Sequence, residues 1–439
     1  MKGSKIISGF SKMTKMGKLK WLAENFFTDP ALVIEELKGY WHDSDAQQKI
    51  LDGFSENTIS NFPMPYGVAP NFLIDNKTFA VPMVIEESSV VAASASAAKF
   101  WLNRGGFKTE ILGTKKVGQL HFKFSGGSAL IKQIFPALRN DLIAGTTDLT
   151  ASMNARGGGI STIRLIDFSD KEPDYYQIRT EFETCDSMGA NFINSILEQF
   201  GIILEKSIIA HDSVLPKDKD VQIIMAILSN YTPDCVVRAS VSCKISELGD
   251  FTGGMSAEEF ADKFNTAIKI AHIDPYRATT HNKGIFNGVD AIVLATGNDF
   301  RAIEASGHAY AARDGQYRSL SYCTLENKVF NFWTDLPMAI GTVGGLTTLH
   351  PMAKTSLQML GNPNAQQLMR IIASVGLAQN FAALRSLVTT GIQKGHMKMH
   401  LQNILNHMEA TDIQIKNAAH FFRDKTVSFS AVRAFLKEG

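Results

Sequence analysis

Four short stretches carry residue types that do chemistry. The first is Glu86-Glu87, set between the apolar run Val81-Pro82-Met83-Val84 and the small-residue run from Ser88 to Lys99. Adjacent side chains leaving a strand point opposite ways, so at most one of the two can face a given site. A carboxyl group held in apolar surroundings has the raised pKa that a general acid needs near neutrality, whereas at the surface the same pair would only favour the following helix's N-terminus. The second stretch joins Lys283, in Thr280-His281-Asn282-Lys283-Gly284, to Asp299, in Thr296-Gly297-Asn298-Asp299. Each lies beside glycine and side-chain amides in apolar sequence, and a buried ammonium and a buried carboxylate are each too costly to leave unpaired. Such a lysine could stabilise the oxyanion formed as a carbonyl accepts hydride, with Asp299 keeping it charged; a structural ion pair is the plainer reading. Gly284 reads as a point of backbone bending near a ligand.

The third stretch is Gly395-His396-Met397-Lys398-Met399-His400, with His407 beyond. The spacing of His396 and His400 puts both on one helical face, but no HExxH glutamate accompanies them and no third ligand is evident, so no metal site is expected. A single histidine after a glycine near the end of the chain suits a proton donor brought in by closure. The fourth is Asp186-Ser187-Met188-Gly189-Ala190-Asn191, ahead of an amphipathic helix, where backbone N–H groups and the helix dipole can face a phosphate. It is not GxGxxG, and no such motif follows a strand elsewhere, which argues against a Rossmann domain. Gly157-Gly158-Gly159 and Gly341-Thr342-Val343-Gly344-Gly345 are two further glycine-rich turns.

The elements that must position these residues are a helical region over 5–60, a break through Phe62 to Pro70, and two short strands, Phe72 to Ile74 and Thr78 to Val84, about an Asp75-Asn76-Lys77 turn. Strand-like runs then alternate with helical ones from 107 to 216, and Asp220 to Leu228 reads equally as strand or buried helix. Helical texture returns at Ser256 to Ile270, Phe300 to Ala311 and Ala365 to Leu387. The fold class expected is α+β: a large mixed substrate-binding domain over 1–110 and 217–390, an inserted small domain over 111–216, and a helical flap over 391–439.

A chain of 439 residues has room for two or three domains and a large core. With 45% hydrophobic and 20% charged residues, a mean hydropathy near zero and a net charge of +1, it reads as an ordinary globular protein with no electrostatic footprint for nucleic acid. The lysines from Lys2 to Lys20 are interrupted by polar residues, and no run of eighteen apolar residues occurs, so neither a signal peptide nor a membrane span is expected. Four scattered cysteines without a CxxC pair suit reduced thiols in a cytoplasmic protein.

Taken together, Glu-Glu-Ser-Ser, Asp-Ser-Met-Gly-Ala-Asn, His-Asn-Lys-Gly with Thr-Gly-Asn-Asp, and Gly-His-Met resemble the 3-hydroxy-3-methylglutaryl-coenzyme A reductases, in their soluble bacterial and archaeal class II form. The resemblance spans about residues 56 to 400. It implies reduction of HMG-CoA to mevalonate and free coenzyme A by two hydrides from a nicotinamide cofactor, through a thiohemiacetal and mevaldehyde. It also implies a ferredoxin-like small domain, and a homodimer or assembly of dimers with the site across the interface. By the same resemblance Glu87 is the catalytic acid, Lys283 stabilises oxyanions, Asp299 joins their network, and His396 on the flap protonates the departing thiolate. Ser89, Arg277 and Asn287 would hold the substrate's hydroxyl and carboxylate, with Gln379 and Asn380 near by. Asp186, Ser187, Met188, Gly189, Ala190 and Asn191 would cradle the cofactor.

The chain departs from the family pattern at three places. Glu56-Asn57-Thr58-Ile59-Ser60 matches a dimer-contact motif that usually ends in glycine, and Ser187 stands where alanine is common. Ile160 to Leu165 lacks the acidic residue that NAD-preferring relatives carry, so Arg164 or neighbouring hydroxyls are expected to favour NADPH over NADH by accepting a 2′-phosphate. Three other readings compete: the same site run oxidatively on mevalonate, a catalytically silent acyl-CoA-binding relative, and, more remotely, a metallohydrolase using His396 and His400.

Overall fold

The computed structural model describes residues 5–249, 251, 254–389, 401–402, 404–422, 425 and 427–438. Three helices open the chain: α1 (Lys15–Phe26), α2 (Pro30–Lys38) and α3 (Asp45–Asp52), each started by a Thr, Asp or Ser whose oxygen accepts a first-turn N–H. Strands β1 (Tyr66–Ile74) and β2 (Lys77–Val84) form an antiparallel hairpin. The irregular segment expected before Phe72 is instead strand from Tyr66 onward. Its Pro70 is tolerated because the pairing shifts register between Ala69 and Phe72, where a ladder N–H is not required. Helix α4 (Val90–Leu102) follows directly.

A first four-stranded antiparallel sheet has the order β3-β8-β10-β9, from Lys108–Ile111, Val236–Lys244, Val329–Pro337 and Ser321–Thr324 respectively. Helices α8 (Ala257–Ile273), α9 (Pro275–Ala295) and α13 (Ala365–Val388) build the large core with it, while α10 (Phe300–Ala311), α11 (Leu346–Leu349) and α12 (Pro351–Met359) flank them. Helix α13 is, among the described residues, the one helix long and apolar enough to cross a membrane, yet nearly three quarters of its apolar window is buried in this core.

The second four-stranded sheet is separate. Its strands are β4 (Lys116–Phe124), β5 (Gly159–Asp167), β6 (Tyr175–Glu183) and β7 (Val221–Ser229), antiparallel throughout in the order β5-β6-β4-β7. Helices α5 (Gly127–Ala144) and α6 (Thr147–Asn154) join β4 to β5, and α7 (Ala190–Ala210) joins β6 to β7. This is the split βαβ connectivity. Residues 221–229 are the sheet's edge strand, so this unit takes its last strand from beyond residue 216. Leu120, Phe122, Ile178, Phe182, Leu197 and Phe200 give it a core of its own. At the end of the chain α14 (Asp412–Phe421) and α15 (Phe429–Glu438) belong to a third small cluster, with Leu401, Leu405, Phe422 and Val432 buried in it.

Helices α9 and α13 approach closely because each is glycine at the contact. A Cβ on Gly376 would lie 2.8 Å from Val289, and one on Gly288 would lie 2.9 Å from both the Val375 carbonyl and Gln379 Cβ. Backbone cannot yield to such an overlap without separating the helices. Gly288→Ala is therefore expected to lower unfolding free energy by about 1–3 kcal/mol, seen as a lower urea midpoint; an unchanged midpoint would mean that α13 shifts freely at this contact.

Candidate active site

Helix α9 presents two chemically different faces. Asp274 caps its start, accepting from the N–H groups of Tyr276 and Arg277, with Pro275 in the first turn. His281 and Asn282 turn inward. Asn282 is fully buried, donating to the Arg318 carbonyl at 2.8 Å and accepting from Leu320 N–H at 2.9 Å. His281 Nε2 lies 2.6 Å from Ser321 Oγ, whose hydroxyl donates to Asn380 Oδ1 at 2.9 Å. Lys283 turns outward, and Gly284 lies inside the helix with open space where a side chain would be. The backbone bend expected there is absent, because α9 continues unbroken through it to Ala295.

Lys283 Nζ lies 2.7 Å from Glu87 Oε2, and the two side chains are 59% and 38% exposed. Neither the buried ammonium nor the apolar carboxyl pocket expected from sequence is found: the pair sits half open at the mouth of a cavity of about 470 Å³. That cavity is lined by Glu87, Ser89, Arg277, Lys283, Asn287, Gln379 and Asn380, so every expected substrate-contact residue meets in one place. Glu86 is exposed. Ser89, at the start of α4, holds a left-handed φ of 78°, a strained setting for a residue with a side chain. Arg277 is half-buried, which lowers its pKa through lost solvation, and among the described residues no carboxylate pairs with its guanidinium. Gln379 accepts from the buried Ser94 hydroxyl at 2.8 Å, which fixes α13 to α4.

Asp299 is not there. It caps α10, accepting from the N–H groups of Arg301 and Ala302, and pairs with the Arg301 guanidinium at 3.1 Å. Lys283 and Asp299 line different cavities, and among the described residues no ion pair joins them. Asp299 instead lines a second cavity, of about 690 Å³, with Ser187, Met188, Gly189, Ala190, Asn191, Gly341, Gly344 and Gly345. Gly189 has φ 92° and a Cβ there would strike Thr184 at 2.5 Å, so the turn into α7 needs glycine. The first N–H groups of this 21-residue helix open on the cavity. Ser187 Oγ accepts from Gly189 N–H at 3.1 Å, a use for the hydroxyl that alanine lacks. The turn at 341–345, which sequence left open, packs against the motif: Thr342 N–H donates to the Asp186 carbonyl, and a Cβ on Gly341 would lie 2.4 Å from Met188 N.

Two expected cofactor residues lie elsewhere. Asp186 turns its carboxylate to the start of α13, accepting from Ala365 N–H at 2.8 Å. Arg164, on strand β5, pairs with Glu181 at 3.2 Å and lines neither cavity. His396 and His400 fall outside the described residues. Ser60 needs no glycine conformation; its hydroxyl donates to the Leu37 carbonyl at 2.6 Å, and positive φ falls on Asn57 instead. Lys116, which sequence reading passed over among the strand residues of β4, is buried beneath the 184–188 turn.

Residues 18–401 match the family model described as hydroxymethylglutaryl-coenzyme A reductase. The chain belongs to this family. It is 35% identical over 434 residues to the 3-hydroxy-3-methylglutaryl-coenzyme A reductase of Archaeoglobus fulgidus, covering 98% of this chain and 94% of that protein. Among solved structures, the reductase of Streptococcus pneumoniae superposes with a TM-score of 0.72 at 34% identity, covering 98% of this chain and 100% of that one. A second structure, of the class II reductase from that organism bound to NADPH in open conformations, gives a TM-score of 0.71 at 35% identity, over 93% and 99% of the two chains. The family is one of oxidoreductases, and the mixed helix-and-sheet architecture is shared with its class II members.

The buried network beneath Lys283 has a pH signature. Burial, with the Arg277 charge adding to it, pushes the His281 pKa down from 6.5 to about 3. The folded state thus prefers neutral imidazole; its stability contribution is complete above about pH 6.5 and is lost as pH falls toward 3. Between pH 6.5 and 5 this residue alone should cost about 2 kcal/mol of stability. Denaturant titrations across that range should show the slope in the native protein and a shallower one in His281→Gln; equal slopes would place the proton uptake elsewhere.

Proposed function

We propose that this chain reduces HMG-CoA to mevalonate and coenzyme A with NADPH, at a site completed by two copies of the chain. The observation that carries this reading is the separation of the site's halves: Glu87 and Lys283 share the substrate cavity, while Asp299 shares the other cavity with the glycine-rich cradle. A homodimer in which the cradle of one copy faces the substrate cavity of the other reunites them, since a two-fold interface juxtaposes unlike halves twice. We read the unit built on β4–β7 as the cofactor-binding part and the remainder, up to the C-terminal segment, as the substrate-binding part.

The residues present fit a dinucleotide. Helix α7, entered through Gly189, starts with first-turn N–H groups that lack intrahelical partners, four further glycines leave room for backbone approach, and Lys116 places positive charge behind the turn. NADPH would supply hydride when bound. The NADPH-bound Streptococcus pneumoniae relative and the lack of an acid over 160–165 favour it over NADH. Arg164 would have to leave Glu181 to read a 2′-phosphate. No described residues group as a metal site, and none is invoked.

In the substrate cavity, Arg277 is a desolvated guanidinium suited to the substrate's terminal carboxylate, which it can hold bidentately. Ser89 and Asn287 offer hydrogen bonds to its hydroxyl. Lys283 turns its ammonium to the oxygen that becomes negative as the thioester carbon is reduced. Glu87 sits 2.7 Å from that ammonium, close enough to shuttle a proton to the same oxygen. His396 is assigned protonation of the leaving thiolate. We read the setting as cytoplasmic; among the described residues, the one helix long and apolar enough to cross a membrane is largely buried in the core.

The test is nicotinamide absorbance with HMG-CoA and either cofactor. Two NADPH consumed per HMG-CoA, slower turnover with NADH, and a fall of about 10²–10³-fold in kcat for Lys283→Ala are expected; a folded protein that binds HMG-CoA but oxidises neither cofactor would refute the reading. The shared site makes a further prediction. Co-assembled Lys283→Ala and Asp299→Ala chains, each inactive alone, should recover about a quarter of native activity, because half the dimers are mixed and carry one intact site of two. Failure of mixed dimers to recover activity would place both residues in one chain's site.

A further inference from the structure

Lys116 opens strand β4 with only 5% of its surface exposed. Its ammonium donates to the Thr184 hydroxyl, to the Ser187 carbonyl at 2.6 Å and to the Ile340 carbonyl at 3.5 Å. All three acceptors are neutral, and among the described residues no carboxylate forms an ion pair with it. Glu183 and Asp186, with the Cys185 and Cys235 thiols, act on it only from farther off. Both carboxylates are already engaged, Glu183 by the Thr114 hydroxyl and Asp186 by Ala365 N–H. A buried ammonium without a counter-ion is costly, and for stability alone an apolar side chain would serve better here.

What the charge secures lies one residue away. Thr184 and Ser187 belong to the turn that forms the cradle, and Ile340 precedes the glycine that packs on it. No peptide among the described residues is cis, so the Met188 N–H points opposite to the Ser187 carbonyl that Lys116 holds. Gly341 stands at that N–H without a side chain to cover it, and Met188 and Gly341 both line the cavity. Among the described residues no carboxylate is in contact with Lys116, and the open side of the turn it holds is the cavity, where a bound anion would meet its charge.

We propose that Lys116 is a positioning residue for the dinucleotide, fixing the 184–188 turn and holding the buried positive charge that the phosphates of NADPH balance. This rests on the reading of that cavity as the cofactor site. Three consequences follow physically. Affinity for NADPH depends on the charge, whereas affinity for HMG-CoA, held in the other cavity, does not. Arginine keeps the charge and rescues what methionine loses. Burial lowers the lysine's pKa, so NADPH affinity should weaken as alkaline pH removes its proton.

The experiment is equilibrium titration of NADPH by nicotinamide fluorescence on the full chain, beside HMG-CoA KM and thermal unfolding. Lys116→Met is expected to weaken NADPH about tenfold, to leave the HMG-CoA KM within about twofold, to unfold no earlier than the native protein, and to flatten the alkaline loss of NADPH affinity. Lys116→Arg should recover most of the affinity. Native-like NADPH binding in folded Lys116→Met, or equal weakening of both ligands, would overturn the inference while leaving the cofactor assignment intact. If the native protein does not bind NADPH, the cofactor assignment falls and this inference with it. If the methionine variant does not fold, the native protein's own pH profile decides: NADPH affinity flat into the alkaline range would overturn the proposal.

Discussion

The structure depends on the unbroken length of helix α9. It carries Arg277, Lys283 and Asn287 on its open side and bolts His281 and Asn282 into the sheet on the other. Its C-terminus delivers the chain to Asp299, which lines a different cavity from Lys283. Helix α9 runs straight through Gly284, so the residues on its open side and the Asp299 that follows its end fall in separate cavities. Everything that makes the substrate cavity follows from where this rod lies: α13 reaches it through glycine contacts, α4 is tied to α13 by Ser94 and Gln379, and Glu87 enters from the hairpin ahead of α4.

Much of this was legible in the sequence, and the failures have physical causes. The four chemical stretches were found because charged and amide residues stand out against apolar neighbours, and the five residues expected to contact substrate line one cavity. Helix α9 went unread because Thr279-Thr280-His281-Asn282 interrupts its apolar period with polar residues that prove to be buried and bonded. The same residues gave Lys283 the look of a buried lysine, although the helical turn puts it on the opposite side. Strand β7 was ambiguous because an edge strand with Ile224, Met225 and Ile227 exposed does not alternate as a half-buried strand should. Asp186 and Arg164 were assigned from motif position; their partners, the α13 N-terminus and Glu181, are set by tertiary contacts that spacing does not encode.

The two lysines next to the cavities are solvated in opposite ways, and the difference fits what each must do. Lys283 and Glu87 form a half-exposed ion pair, an arrangement worth only about 0–1 kcal/mol. Breaking it costs little, so the ammonium is free to exchange the carboxylate for another acceptor. Lys116 is the reverse: buried and held by neutral oxygens in two segments. A group that must exchange partners during reaction has to sit where water lowers the cost of exchange. A group that must hold a turn in one shape has to sit where there is no such alternative. Sequence presents both as a lysine near small or polar residues, and only their burial separates the two.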